Sequence, residues 1–139
     1  TAFAARAQRR MAKAMSEAAA SATANGESAF LAVGLSYIRF ALEEPAAFQV
    51  MWRSELIYGD DPAYQAATEE LTKLFRQGFA ESITDEDANA LGAEEFLAWS
   101  TVHGVASLYT DGPHFHTDDR EAKLARAKET LSLLLPTLE

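Results

Sequence analysis

The sequence contains no cysteine, few glycines and prolines, and no long hydrophobic run. Seven glycines and four prolines are spread over 139 residues, of which 48% are hydrophobic. Without thiols, disulfide bonds and cysteine nucleophiles are excluded, and a cytoplasmic location is the expectation. No apolar run approaches the roughly 18 residues of a membrane span, so we expect no membrane partner. These features favour one globular domain covering residues 1–139.

Acidic residues are absent from the start of the chain. Arg6, Arg9, Arg10 and Lys13 precede the first acidic residue, Glu17, although the whole chain carries a net charge of −9. An acidic surface repels phosphate, so this chain by itself is predicted to be a poor nucleic-acid binder. The basic start is either a solvated helix face or a junction with a segment that binds DNA.

Short breaks divide the sequence into six predicted helices, and no strand pattern is found. Asn25-Gly26 is a good stop for a first, alanine-rich helix, and Asp61-Pro62 forms an N-cap with a first turn. The residue before Pro45 disfavours helical geometry, so one helix ends there and the next can begin. The predicted spans are about 2–23, 27–42, 45–56, 61–82, 93–110 and 118–136. We therefore expect an all-α fold.

The fifth predicted helix has no charged residue between Phe96 and Thr110. At 100° per residue, one side carries Phe96, Trp99, His103, Ala106 and Thr110, and the other carries Leu97, Thr101, Val105 and Leu108. Between them runs a strip of small residues that suits close approach of another helix: Ser100, Gly104 and Ser107. A helix that is apolar on both sides is covered by protein on both sides.

The last predicted helix runs from a capping box at Asp118 and Glu121 to Pro136, and its leucines spread over more than one face. Two neighbouring helices with surplus apolar surface suggest a homodimer joined by a four-helix seam across a two-fold axis. The alternative is a monomer that covers this surface itself. The expected interface residues are Leu97, Thr101, Gly104, Val105, Leu108, Leu124, Leu131 and Leu135.

Two segments resemble the C-terminal domain of TetR-type transcriptional regulators, in the subgroup named for its Trp…His-Gly (WHG) motif. The segments are LSYIRFALEEPAAFQVMW, at 35–52, and FLAWSTVHGVASLYTDG, at 96–112. The specific matches are Tyr37 to Ala41 with Pro45, and Trp99 with His103-Gly104. The resemblance implies a six-helix bundle that dimerises and binds a small hydrophobic effector. It also implies an N-terminal helix-turn-helix domain, not present in this chain, through which alone operator DNA would be bound.

The resemblance further implies that an effector enters the helical core, tilts the connecting helix and changes the spacing of two DNA readers. Large aromatic residues and polar groups on converging helices are the expected cavity lining, although each has a plain core role as its alternative. The expected ligand-binding residues are Tyr37, Phe40, Met51, Trp52, Phe75, Phe79, Trp99 and His103.

Other classes of function are less favoured by the residues. His114 and His116 lie near several carboxylates, but no carboxylate–histidine pair has helical ligand spacing, so we expect no metal or other cofactor. An enzyme is not expected either, since His103 has no acidic partner on its own helix and no phosphate-binding loop is found. A purely structural dimerisation module without a ligand remains the main alternative.

Overall fold

The structure, a computed structural model, consists of helices throughout the residues it describes. These are residues 2–58, 62, 93–111 and 119–134, without certain side chains such as those of residues 52–58. This part contains no strand, so the predicted all-α class is confirmed. The predicted helix at 61–82 falls almost entirely outside the described residues. The helices are α1 (Ala2–Ala24), α2 (Ala29–Glu43), α3 (Pro45–Tyr58), α4 (Ala93–Asp111) and α5 (Arg120–Ser132).

Helices α1 and α2 form an antiparallel hairpin around the predicted stop at Asn25-Gly26. Gly26 has a φ of 71°, in the left-handed region that glycine adopts without steric cost. The N-cap of α2 is Ser28, whose hydroxyl accepts a 3.3 Å hydrogen bond from the backbone N–H of Leu31. Helix α2 therefore begins two residues later than its predicted start at position 27.

Helix α2 is the central element, since it packs against α1, α3, α4 and α5. Two of these helices come close to α2 at Gly34. A Cβ atom added there would lie 2.9 Å from Leu131 Cδ1 of α5 and 3.2 Å from Val102 Cγ2 of α4. The missing side chain at Gly34 thus lets two helices approach α2 at one point. The largest fully buried side chains around α2 are Tyr37, Met11, Met15, Ile38, Met51, Leu131, Gln8 and Val102.

The chain turns sharply between α2 and α3. The backbone N–H of Glu44 donates to the carbonyl of Phe40 at 2.8 Å, and Pro45 begins the next helix. This is the break predicted from the proline, which opens a helix because its missing N–H is not needed in the first turn. An ion pair of 2.7 Å between Arg10 and Glu44 joins α1 to this turn.

The most buried face of α4 differs from both sides predicted for it. It runs through Ala98, Val102 and Tyr109, which lie between the two predicted sides, and includes Ala106 from the first of those sides. The small Ala98 and Ala106 are fully buried, and α4 contacts both α2 and α5. Phe96, on a side that was predicted to be covered by protein, is 65% exposed. Periodicity correctly indicated an apolar helix, but it could not rank the apolar faces by depth.

Two boundaries of the last helix were predicted wrongly. The N-cap of α5 is Asp119 and not Asp118, because Asp119 Oδ1 accepts a 2.7 Å hydrogen bond from the N–H of Ala122. Either of two adjacent aspartates can cap a helix, and the capping-box spacing to Glu121 favoured Asp118 in the sequence. The helix also ends at Ser132, before Pro136. The N–H of Leu133 donates to the backbone carbonyls of Thr130 and Leu131, which closes the last turn.

None of the helices in the described part of the chain is both long enough and apolar enough to cross a membrane.

Candidate functional site

A hydrogen bond between Tyr37 of α2 and His103 of α4 lies at the centre of the site. The Tyr37 hydroxyl oxygen is 2.8 Å from His103 Nδ1, although the two residues are 66 positions apart in sequence. Tyr37 is fully buried, whereas His103 is half-buried. A buried phenol requires a hydrogen-bond partner, and the imidazole ring supplies one from the neighbouring helix.

The second imidazole nitrogen faces along α4. His103 Nε2 lies 3.3 Å from the hydroxyl oxygen of Ser107, one helical turn further on. Burial lowers the pKa of His103 below its ordinary value, because the surrounding protein disfavours the charged ring. The ring is therefore neutral at pH 7, with one nitrogen that donates and one that accepts.

Phe48, in the first turn of α3, completes an aromatic cluster with Tyr37 and His103. Its ring centroid is 5.6 Å from that of Tyr37, edge to face, and 5.7 Å from that of His103, with the planes tilted by 32°. The Tyr37 and His103 rings are 6.2 Å apart. Three helices thus contribute rings to one aromatic cluster around the Tyr37–His103 hydrogen bond.

Trp99 lies one turn before His103 and is half-buried, packed against the hydrophobic core. One turn earlier still, Phe96 is largely exposed. The side of α4 from Phe96 through Trp99 to His103 therefore passes from an exposed ring to half-buried ones. The aromatic cluster therefore borders, at His103, a partly exposed side of α4.

The structure brings only part of the predicted ligand-binding set together. Tyr37 and His103 are in direct contact, and Trp99 lies beside them on α4. Phe40 and Met51 are buried in the same hydrophobic core. The side chain of Trp52, and all of Phe75 and Phe79, lie outside the described residues.

Phe48 and Ser107 contact His103 but are not among the residues predicted for the site. Phe48 was placed on the third helix, and its position three residues after the helix-opening Pro45 was the available signal. Ser107 follows His103 by four residues, a spacing that puts side chains next to each other on a helix. Both residues contact His103, so helical spacing around that histidine would have found one of them.

Four of the predicted interface residues form one stripe on the outer side of α4: Leu97, Thr101, Gly104 and Leu108. Leu97 is 43% exposed and Leu108 is 55% exposed. A Cβ atom added at Gly104 would have nothing within 4 Å, in contrast to the crowding at Gly34. The Thr101 hydroxyl donates to the carbonyl of Leu97 at 2.8 Å, so its methyl group faces away from that bond. The close packing predicted at Gly104 is not supplied by the described part of its own chain.

The other predicted interface residues have different positions. Val105 is half-buried and packs against the core. Leu124 and Leu131 are buried inside the chain, so they are not accessible to a second subunit in this arrangement. Their burial takes these two leucines out of the expected interface, because this face of α5 packs within the chain. Leu135 lies outside the described residues.

The segment with His114 and His116 also lies outside the described residues. Elsewhere in the described ranges, no group of three histidine or acidic side chains is arranged to hold a metal ion.

The region that contains these residues matches a known protein family. A family model described as the tetracyclin repressor-like C-terminal domain matches residues 30–131. This match covers α2 to α4 and nearly all of α5, and the chain belongs to this family. No curated protein and no solved structure gives a significant match.

The family is that of C-terminal domains of transcription regulators, and it confirms the resemblance found in the sequence. The matched region contains Tyr37, Phe48, His103 and Ser107, so the whole cluster lies within the family domain. The WHG subgroup stays a prediction.

Proposed function

We propose that this chain is the effector-binding and homodimerisation domain of a transcription regulator that acts in the cytoplasm. The effector is a small hydrophobic molecule, and its binding alters how a helix-turn-helix domain of the same regulator holds operator DNA. The membership of residues 30–131 in the tetracyclin repressor-like family supports this class of function. The chain itself acts neither as an enzyme nor as the DNA reader.

The observation that carries the effector proposal is the hydrogen bond between Tyr37 and His103 within an aromatic cluster. Small-molecule sites in proteins are mostly apolar and contain a few polar groups that orient the ligand. Here Phe48 supplies apolar surface from α3, and the half-buried His103 supplies a polar group at the accessible edge. The proposed lining is Tyr37, Phe48, Trp99 and His103, with Phe40, Met51, Trp52, Phe75 and Phe79 as further candidates.

The position of this cluster makes it suited to sensing. Its three rings come from α2, α3 and α4, so a molecule inserted among them changes the spacing of three helices. Helix α1 packs against both α2 and α3 and is joined to their turn through Arg10 and Glu44. A ligand shifts a conformational equilibrium only by its differential affinity for the two states. Here the two states would differ in the separation of these helices, and the ligand would bind more tightly to the state in which the helices are further apart.

The dimerisation proposal rests on the stripe of Leu97, Thr101, Gly104 and Leu108. This stripe has no charge, and it has a glycine at its centre where another helix can approach closely. The same residues from a second copy, related by a two-fold axis, fit such a surface because the contact is self-complementary. Val105 borders the stripe and Leu135 is a further candidate.

Native mass spectrometry tests both parts of this proposal. We expect the mass of a dimer, together with a co-purified molecule or a site that apolar compounds occupy. Gly104→Leu should convert the dimer to a monomer, because the added side chain separates the two copies of α4. Ala20→Leu, which places the same side chain at an exposed position on α1, serves as the matched control and should remain dimeric.

A structural dimerisation module without a ligand makes a different prediction. In that case no apolar compound would raise the melting temperature of the dimer, and Trp99→Ala would alter stability without altering any ligand response. If the chain is an effector domain, Trp99→Ala should change how far a ligand raises the melting temperature, since it removes a ring beside His103. A dimer that responds to no apolar compound would therefore overturn the effector part alone.

A further inference from the structure

The direction of the hydrogen bond between Tyr37 and His103 determines what the site offers to a ligand. A phenol is a good hydrogen-bond donor and a poor acceptor, whereas a neutral imidazole nitrogen is a good acceptor. The 2.8 Å contact at Nδ1 is therefore best satisfied when the Tyr37 hydroxyl donates to the ring. The proton of the neutral imidazole then sits on Nε2, and we assign the tautomer on this basis.

With that tautomer, His103 presents an N–H group towards Ser107. The distance from Nε2 to the serine oxygen is 3.3 Å, longer than the 2.7–3.2 Å that is usual for an N–H···O bond. Ser107 and His103 are both half-buried, so this side of the ring is the more accessible one. The opposite nitrogen faces the fully buried Tyr37. A ligand oxygen can therefore replace Ser107 as the acceptor of the Nε2 proton.

We propose that the effector carries an uncharged acceptor oxygen, such as a ketone, ester or amide carbonyl, which accepts a hydrogen bond from His103 Nε2. This inference rests on the proposed effector site and adds the chemical class of the molecule. The rest of the effector is apolar and aromatic or similarly flat, since it must lie against the rings of Phe48 and Trp99.

The same surroundings disfavour a charged head group. Tyr37 and Phe48 place aromatic rings beside His103, and such apolar surroundings solvate a charge poorly, which is also why burial lowers the pKa of His103. A carboxylate or ammonium group placed beside the ring meets the same poorly solvating surroundings. An uncharged carbonyl loses less hydration on entering the site and still satisfies the imidazole N–H.

A matched set of probes tests the preference for an uncharged carbonyl on the unmodified chain. The set is 2-acetylnaphthalene, its oxygen-free isostere 2-isopropenylnaphthalene, 2-naphthoate and 2-naphthylmethylammonium, with affinity measured by calorimetry at pH 7.5. We expect the ketone to bind roughly tenfold more tightly than the alkene, the value of about one neutral hydrogen bond. Both charged probes should bind more weakly than the ketone.

Variants separate the hydrogen bond from general packing. His103→Phe should remove the preference for the ketone over the alkene, because it keeps a ring and deletes the donor. Ser107→Ala should keep or increase the preference, because it removes the competing acceptor and leaves His103 intact. Loss of the preference in Ser107→Ala would contradict the exchange of acceptors proposed here. This second variant keeps the test valid if His103→Phe does not fold.

The tautomer can be measured without any ligand. Nitrogen-15 NMR of the imidazole rings, assigned with the His103→Phe variant or, if it does not fold, with His114→Gln and His116→Gln, should show His103 protonated on Nε2. A proton on Nδ1 would overturn this inference and leave the effector site standing. Equal affinity for ketone and alkene, or tighter binding of a charged probe, would have the same effect. If none of the four probes binds, the result contradicts the proposed effector site and, with it, this inference.

Discussion

The two glycines in the middle of α2 and α4 have opposite surroundings. At Gly34, an added Cβ atom would meet Leu131 at 2.9 Å and Val102 at 3.2 Å, whereas at Gly104 it would meet nothing within 4 Å. Each glycine costs its helix about 1 kcal/mol relative to alanine. Close packing within the chain offsets this cost at Gly34. At Gly104 the described chain offers no such compensation, and the proposed second subunit would supply it.

The comparison also separates the two sides of α4. The inner side, with Val102, packs against α2, and the Tyr37–His103 hydrogen bond also joins the two helices. The outer side, with Leu97 and Leu108, is open and uncharged. An apolar helix can therefore have one side that stabilises its own fold and another that remains available for association.

The largest expected effect is at the inner glycine. Gly34→Val should lower the free energy of unfolding by about 1–3 kcal/mol or more, because the added methyl groups collide with Leu131 and Val102. Urea unfolding followed by circular dichroism measures this change. Gly104→Val is the matched control and should leave the stability of the single subunit nearly unchanged or slightly higher. Equal losses at both positions would refute the comparison.

A smaller loss is expected when the hydrogen bond on the inner side is removed. Tyr37→Phe should lower the free energy of unfolding by about 1–2 kcal/mol, since His103 loses its 2.8 Å partner while the ring volume is kept. Ser107→Ala, which deletes only the longer contact of 3.3 Å, should cost clearly less. The two variants are compared by thermal and urea unfolding. A Tyr37→Phe protein as stable as the parent would show that this bond does not hold α4 to α2.

At the outer glycine the sign of the effect reverses. Gly104→Ala should raise the stability of the isolated subunit by up to about 1 kcal/mol, because alanine favours the helix and its Cβ meets no atom within 4 Å. The measurement is urea unfolding at chain concentrations low enough for the monomer. At higher concentrations the same variant should weaken the proposed dimer, as seen by sedimentation. A destabilised subunit would mean that the outer side is packed after all.

The smallest effect expected is a dependence of stability on pH. The pKa of His103 is lowered in the folded chain by burial, so the unfolded chain binds a proton more readily. Stability from this source is fully present above the ordinary histidine value of about 6.5 and is lost as the pH falls through the lower folded value. His103→Leu should flatten the decrease in unfolding free energy between neutral and acidic pH. An unchanged slope would show that the ring titrates normally in the folded chain.

Local features of the fold were accessible from the sequence because short-range chemistry determines them. The stop at Gly26 follows from its left-handed φ of 71°, and the break at Pro45 follows from the proline ring. Tyr37 and His103 were both predicted to line an effector cavity because of the family resemblance, and the structure places the two side chains in direct contact. Their direct hydrogen bond is a contact over 66 residues, which no periodicity within one helix can reveal.

The errors came from surfaces whose neighbours are distant in sequence. Leu124 and Leu131 were expected at an interface, but α5 turns them inward against the chain's own core. Gly104 was identified as a packing glycine and Gly34 was not, although both interrupt apolar helical patterns in the same way. Only the packing of α4 and α5 on α2 distinguishes them.

The amino-acid sequence by itself determined which segments are helical, where turns interrupt them, and which helix is free of charge. These properties depend on dihedral preferences and on hydrophobic spacing within a few turns. The tertiary structure decided which apolar side of α4 is filled, which glycine is crowded, and that a phenol of α2 meets an imidazole of α4. Such choices depend on the relative position of whole helices, because burial and hydrogen bonding at these residues are set by partners far along the chain.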